Sequence, residues 1–393
     1  MNTKAIALLA IGHCLIDLCQ GVVPALLPFL VPERGFSYAA AASLVFAISA
    51  TSSVIQPLFG RYADRASAPW LLPASIVLAG GGVALGAQAS HFAVVFCAFG
   101  ISGLGVAAFH PEAARSAHLA SGDRRTTGMS MFSLGGGLGF AFAPSLTIFI
   151  EHGWGTIGLL GLLVPTALVA GLVTRAKAAK RPAQGASGRA QLEHGVDDWR
   201  GFAILSGATI SRSIVFYGLN TFLALYFMRR FHQSSEQATP ALALFLGTSI
   251  VGTVLGGFLA DRYSRRGVIR VGFLGAVVFL GLFARADDPT VALRLLVPLA
   301  LFIFLPTSVL VVLGQEYLPN RLGMASGVTL GLAVSVGGMT APLLGRLADR
   351  HGLGIVFVIL WWVLVVAAVQ ALALPPMKSR EMPCETGSSP EQL

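Results

Sequence analysis

Asp17 stands four residues after His13, inside an apolar run that reaches from about Ala5 to Val31. On a helix, residues four apart share one face, so this carboxylate and this imidazole look the same way. An acidic group at the middle of a bilayer costs about 2.5–3.5 kcal/mol on insertion scales, so it is a functional group by default. The chemistry open to the pair is proton exchange. Asp17 can take and release a proton, and His13, whose side chain ordinarily titrates near about pH 6.5, can relay it. A second candidate set is His110 and Glu112, on either side of Pro111 at the end of a later apolar run. Pro111 removes a backbone donor and frees a carbonyl, and interrupted helices inside membranes face protein or water. Glu112 also lies three residues before Arg115, so a helix-end ion pair is its other reading. Arg212 lies in a seventh apolar run, about a dozen residues from its start, too deep to snorkel and always charged. It is therefore a pairing or ligand-binding group, with Tyr217 and Asn220 further along the same run as weaker binding candidates.

These groups need membrane-spanning elements to hold them, and the composition supplies those. The chain has 393 residues, 55% hydrophobic and 11% charged, with a mean hydropathy of +0.75. A soluble domain carries about a quarter charged residues, so this composition is that of a membrane protein. A net charge of +9 would suggest nucleic acid in a soluble chain. Here the basic residues fall between apolar runs and read as anchors on the cytoplasmic side, so no nucleic-acid partner is expected. Cys14, Cys19, Cys97 and Cys384 form no spaced ligand set, so neither disulfides nor a metal is expected. No cofactor is expected either.

About 20 mainly apolar residues cross a hydrocarbon core of about 30 Å. Twelve runs qualify, at approximately 5–31, 38–59, 70–88, 91–114, 127–150, 156–174, 201–228, 239–260, 267–285, 291–315, 323–345 and 352–374. The reading is all-α: an N-terminal six-helix bundle over 1–174, a polar and basic linker over 175–200, a C-terminal six-helix bundle over 201–374, and a tail over 375–393. Met1-Asn2-Thr3-Lys4 before an apolar run has the look of a signal peptide, but Asp17, Pro24 and Pro28 interrupt the run, which reads as a retained span. With both termini in the cytoplasm, 19 of the Lys and Arg residues are cytoplasmic, 7 external and 1, Arg212, within a span. That asymmetry favours the orientation.

The chain repeats itself. Gly60-Arg61-Tyr62-Ala63-Asp64-Arg65 follows the second run and Gly257-Phe258-Leu259-Ala260-Asp261-Arg262 closes the eighth, 197 residues later. The same marker at half-chain offset implies two halves related by an axis along the membrane normal. A third copy, Gly345-Arg346-Leu347-Ala348-Asp349-Arg350, has no counterpart in the first half and reads as a look-alike without the same role. The doubled marker resembles the signature loop of the major facilitator superfamily. It implies gating by Gly60, Asp64 and Arg65 and by Gly257, Asp261 and Arg262, with glycine allowing close approach and the charged pair latching helix ends. His13 and Asp17, the Phe109-His110-Pro111-Glu112 run, Gln315-Glu316-Tyr317-Leu318-Pro319-Asn320-Arg321 and Gly323-Met324-Ala325-Ser326-Gly327 together resemble the fosmidomycin-resistance type of drug:proton antiporter. Gly135, Gly139 and Ala143 make a smooth helix face for close packing. With Pro144 they loosely resemble the antiporter motif of that superfamily, with Ala143 where a glycine is expected.

The resemblance implies proton-driven export of small drugs across a bacterial inner membrane, by a monomer that deals with substrate, protons and the lipid bilayer. Arg212 follows Asp17 by 195 residues, close to the repeat. The two are expected to face each other across the axis, substrate drawing Arg212 away from Asp17 and thereby admitting a proton, a reciprocal linkage at one cavity. An arginine there suits an anionic group through bidentate contact. Proton-coupled import of an anionic nutrient fits the same groups. A membrane-embedded enzyme or receptor is the remote alternative: no H-E-x-x-H, G-x-S-x-G or P-loop run occurs.

Overall fold

The computed structural model describes residues 1–56, 58–59, 70–122, 125–176, 196–321, 324–325, 328–329 and 333–376. The linker from 177 to 195 and the tail beyond 376 lie outside them. In chain order the helices are α1 (Thr3–Arg34), α2 (Tyr38–Val54), α3 (Leu71–Gly86), α4 (Phe92–Ser121), α5 (Arg125–Trp154) and α6 (Leu163–Arg175). After the linker come α7 (Trp199–Phe231), α8 (Ser235–Arg262), α9 (Arg265–Phe283), α10 (Pro289–Phe304), α11 (Thr307–Tyr317), α12 (Ala333–His351) and α13 (Gly354–Leu372).

Eight helical stretches are long and apolar enough to cross a membrane, and α2 and α3 are shorter apolar helices. Two breaks divide or join these stretches. One of the eight runs from Met131 to Arg175. At Gly155, with φ +62°, that stretch turns back into a 3-10 segment, Gly155–Leu162, which leads into α6. Conversely, α10 and α11 make one crossing interrupted at Leu305 and Pro306. With α12, this gives the twelve crossings that the apolar runs predict. Side chains such as Leu78, Leu85, Phe142, Phe149, Val254 and Phe258 are exposed, as befits surfaces turned toward lipid rather than water.

The helix ends follow local chemistry. Ser37, Asp198, Ser264 and Asp288 cap the helices that follow them, and Ser234 and Gln237 form a complete capping box. Gly35 ends α1 in the left-handed conformation at φ 63°.

The glycines of α5 decide how closely it meets α1. A Cβ at Gly135 or Gly139 would run into the carbonyl oxygen of Ala10 or Cys14, and one on Gly21 would stand 2.7 Å from Ala143 Cβ. The small-residue face read from the sequence is thus a packing face, and it brings the backbones of α1 and α5 together. The two halves meet through α2 with α12, α5 with α8, and α1 with α7 and α8.

Candidate functional site

α1 brings His13 and Asp17 to the junction of α1, α4 and α5, and α4 brings His110 to the same point. His13 Nε2 is 3.3 Å from Asp17 Oδ2, and His110 Nε2 is 3.2 Å from Asp17 Oδ1. The second contact has ion-pair distance without the alignment of a hydrogen bond, since the buried Oδ1 has no directed partner. The Asp17 side chain is 18% exposed. The two imidazoles meet edge to face with centroids 5.1 Å apart, and His13 stacks on Phe132 at 4.2 Å.

The outer ring nitrogens fix the tautomers. His13 Nδ1 is 2.9 Å from the carbonyl oxygen of Phe132, and His110 Nδ1 is 2.9 Å from that of Val106. A carbonyl only accepts, so each Nδ1 carries the hydrogen and donates it. In a neutral ring the Nε2 then presents a lone pair toward Asp17 oxygen. Two lone pairs at 3.2–3.3 Å repel; a proton between them turns each contact attractive. A proton on either Nε2 is thus favoured by the geometry of the cluster. The three groups lie within 4.8 Å of one another, a set that a divalent cation could also satisfy.

Two residues outside the candidates read from the sequence complete the site. Phe132 supplies a carbonyl and a ring. Gly136 makes room: a Cβ there would stand 2.5 Å from both Asp17 Oδ2 and His13 Nε2. The run Gly135-Gly136-Gly137 was the available signal; its fourfold spacing accounts for Gly135 and Gly139 and leaves Gly136 on another face. Glu112 is buried at 6% exposure.

In the C-terminal half, Arg212 donates from Nη1 to Thr307 Oγ1 at 3.4 Å, at the start of α11. Its buried Nε has no hydrogen-bond partner among the described residues; the same holds for Asn220 Oδ1 and Ser308 Oγ. Tyr217 is buried and interacts with Ser49 of α2, across the boundary between the halves. No ion pair joins Asp17 and Arg212 among the described residues. Among the described residues the ion-pair partners of Asp17 are His13 and His110.

Gly60, Asp64 and Arg65 lie outside the described residues. In the second copy, a Cβ on Gly257 would stand 3.6 Å from Ser308 Oγ, an ordinary contact. The close approach belongs to its neighbour Gly256, where a Cβ would collide with the Leu305 carbonyl. Asp261 and Arg262 are exposed, and Arg262 lies over the Tyr263 ring at 5.9 Å. The Gln315–Arg321 run acts as a tether of helix ends. Glu316 pairs with Arg265, Tyr317 donates to the Pro375 carbonyl at 2.9 Å, and Arg321 is 3.4 Å from Asp197.

Twelve helical crossings in two pseudo-symmetric halves, with ionisable groups held inside them, define a secondary transporter. The chain belongs to the major facilitator superfamily, whose profile, described as "Major Facilitator Superfamily", matches residues 9–342. It is a multi-pass membrane protein, and the family is one of transporters, not enzymes. Among curated relatives, the MFS-type transporter YfnC of Bacillus subtilis is 30% identical, over 95% of this chain and 93% of that one. The fosmidomycin resistance protein of Escherichia coli is 28% identical, over 89% of this chain and 87% of that one. Among solved structures, a bacterial homolog of the human lysosomal transporter Spinster, in an inward-facing and unoccupied conformation, superposes with a TM-score of 0.80. It covers 95% of this chain and 96% of its own at 16% identity, which speaks to the fold.

Proposed function

We propose that this chain is a proton-coupled exporter of small, anionic drugs, with both termini in the cytoplasm of a bacterial cell. The observation that carries the reading is the His13–Asp17–His110 cluster: two imidazoles, each anchored at Nδ1, bring the other nitrogen within 3.2–3.3 Å of one carboxylate. Such a cluster stores a proton at low energetic cost and releases it when its geometry or exposure changes. α1 carries two of the three groups, so rocking of one half against the other alters which side of the membrane the cluster can reach. The relative that confers fosmidomycin resistance supports the drug class and the outward direction.

In this reading Arg212 binds the anionic group. Its unpartnered Nε, Thr307 beside it, and the unpartnered Ser308 and Asn220, the latter about two turns along α7, supply donors and acceptors whose burial is costly until a ligand meets them. Substrate and proton then act on different halves, and each biases the same conformational equilibrium, which is the linkage antiport requires. Import of an anionic nutrient by symport uses the same two groups.

Reconstituted protein in proteoliposomes distinguishes these. An imposed proton gradient, acidic on the side opposite the drug, is expected to drive drug uptake into acidic vesicles. Asp17→Asn is expected to leave only downhill, gradient-independent drug movement, and Arg212→Ala to weaken drug binding. Full coupling in Asp17→Asn would remove the cluster from the mechanism; co-movement of proton and substrate in the same direction would replace export by symport.

A further inference from the structure

The third copy of the repeated marker, Gly345 to Arg350, sits at the end of α12, at the face of the molecule away from both termini. The structure gives it a partner. Asp349 Oδ1 accepts from the backbone N–H of Tyr38 at 2.7 Å, and Oδ2 accepts from that of Ala39 at 3.0 Å. Tyr38 and Ala39 open α2 in the opposite half of the protein. One turn earlier on α12, a Cβ at Gly345 would stand 2.7 Å from Ala39 Cα and from the Tyr38 carbonyl oxygen. Glycine and aspartate four apart lie on one helix face. The glycine admits the incoming helix end and the aspartate receives its free N–H groups.

The first N–H groups of a helix have no partner within it and attract negative charge. In α2 they are divided between two sources. Ser37 Oγ, in the same half, accepts from Ala40 at 3.1 Å, while Asp349, from the other half, takes Tyr38 and Ala39. The cap of α2 is thus complete only while α2 and α12 touch. Other contacts join the halves at the same end: Ser235 Oγ donates to the Pro28 carbonyl at 2.7 Å, and His152 Nδ1 is 2.9 Å from Glu236 Oε1.

We propose that Gly345 and Asp349 form a clasp that holds the membrane face away from the termini closed, and that opening of this face proceeds by withdrawing Asp349 from the α2 N-terminus. The marker is then a one-turn module, glycine for approach and aspartate for capping, used here without its half-chain twin. This goes beyond the transport reading and does not depend on the substrate or the coupling ion.

The test reads conformation alone. Spin labels on cysteines replacing the exposed Ser90 and Thr290, one in each half at this face, report the separation of the halves by pulsed dipolar spectroscopy. The full chain is used in a cysteine-free background, without substrate or gradient. Asp349→Ala is expected to move population toward longer distances, raising the open-to-closed ratio about five- to tenfold, the factor carried by about 1–1.4 kcal/mol. Tyr38→Pro removes one N–H donor at a first helical position where proline is tolerated, and is expected to act in the same direction. Gly345→Leu is expected to prevent closure. Unchanged distance distributions in Asp349→Ala and Tyr38→Pro, both folded by thermal unfolding, would overturn the clasp and leave the proton cluster untouched.

Discussion

At the residue scale, the proposed proton site leaves little room beside Asp17. Gly136 and Gly139 are three apart on α5, yet they face different things. Gly139 meets the Cys14 backbone, while Gly136 meets the tips of Asp17 and His13. Gly139→Val is therefore expected to lower stability by about 1–3 kcal/mol, the usual cost of overpacking, seen as a fall in unfolding temperature in detergent. Gly136→Ala is expected to spare stability far more and to weaken proton-driven transport, because its added carbon meets side-chain ends that can turn aside. Equal losses of stability in both variants would make Gly136 a packing residue only. His110→Gln carries a second expectation: with one proton-sharing contact removed, the pH dependence of drug-driven proton release should change in shape while drug binding at fixed pH persists. An unaltered pH profile would confine His110 to a structural role. The acid and both histidines were legible in the sequence, since polar groups in apolar runs stand out. Their mutual contact was not, because nothing in a linear chain tells which face of α4 meets which face of α1. Gly136 was hidden among neighbours whose spacing explained the run without it.

At the element scale, helices run further than apolar runs suggest. α8 continues through Asp261 and α12 through Asp349, although both stretches turn charged before they end. Hydropathy marks where lipid stops; backbone hydrogen bonding continues into the headgroup region. The interruption of α10 and α11 at Leu305 and Pro306 was not foreseen, because the run from 291 to 315 is mainly apolar on both sides of it; Pro306 was the available signal. Packing explains how it is held. Gly256 lies against the Leu305 carbonyl, and a Cβ on Gly272 would stand 2.5 Å from Pro306 Cγ. Gly256→Val is thus expected to cost about 1–3 kcal/mol and to disturb Arg212 through its Thr307 contact, measurable as weaker drug binding along with a lower unfolding temperature. Binding that survives at native affinity would separate the break from the substrate site. At the neighbouring helix ends, the Arg265–Glu316 pair ties α9 to α11. Arg265→Ala is expected to lower stability by about 1 kcal/mol without changing proton coupling in vesicles.

At the scale of the whole molecule, symmetry organises the frame and is abandoned at the sites. The doubled marker and the twelve runs were enough to read the frame, because both are one-dimensional signals of length and recurrence. The charged groups divide unequally: the N-terminal half holds the carboxylate with its histidines, and the C-terminal half holds Arg212 with its buried, unpartnered Nε. Equivalent positions on α1 and α7 led to an expected pairing, whereas among the described residues Asp17 pairs with His13 and His110. If each half keeps its own task, Asp17→Asn and Arg212→Ala should be close to additive in drug binding at fixed pH, whereas a direct pair would leave the double variant hardly worse than the single ones. The junction of Tyr38 and Ala39 with Gly345 and Asp349 has a further consequence. It forms a surface made of two distant chain segments that are neighbours only while the halves are together. A nanobody raised against that composite surface would recognise one conformation of the carrier and hold it there, arresting transport from the aqueous side without ever entering the membrane.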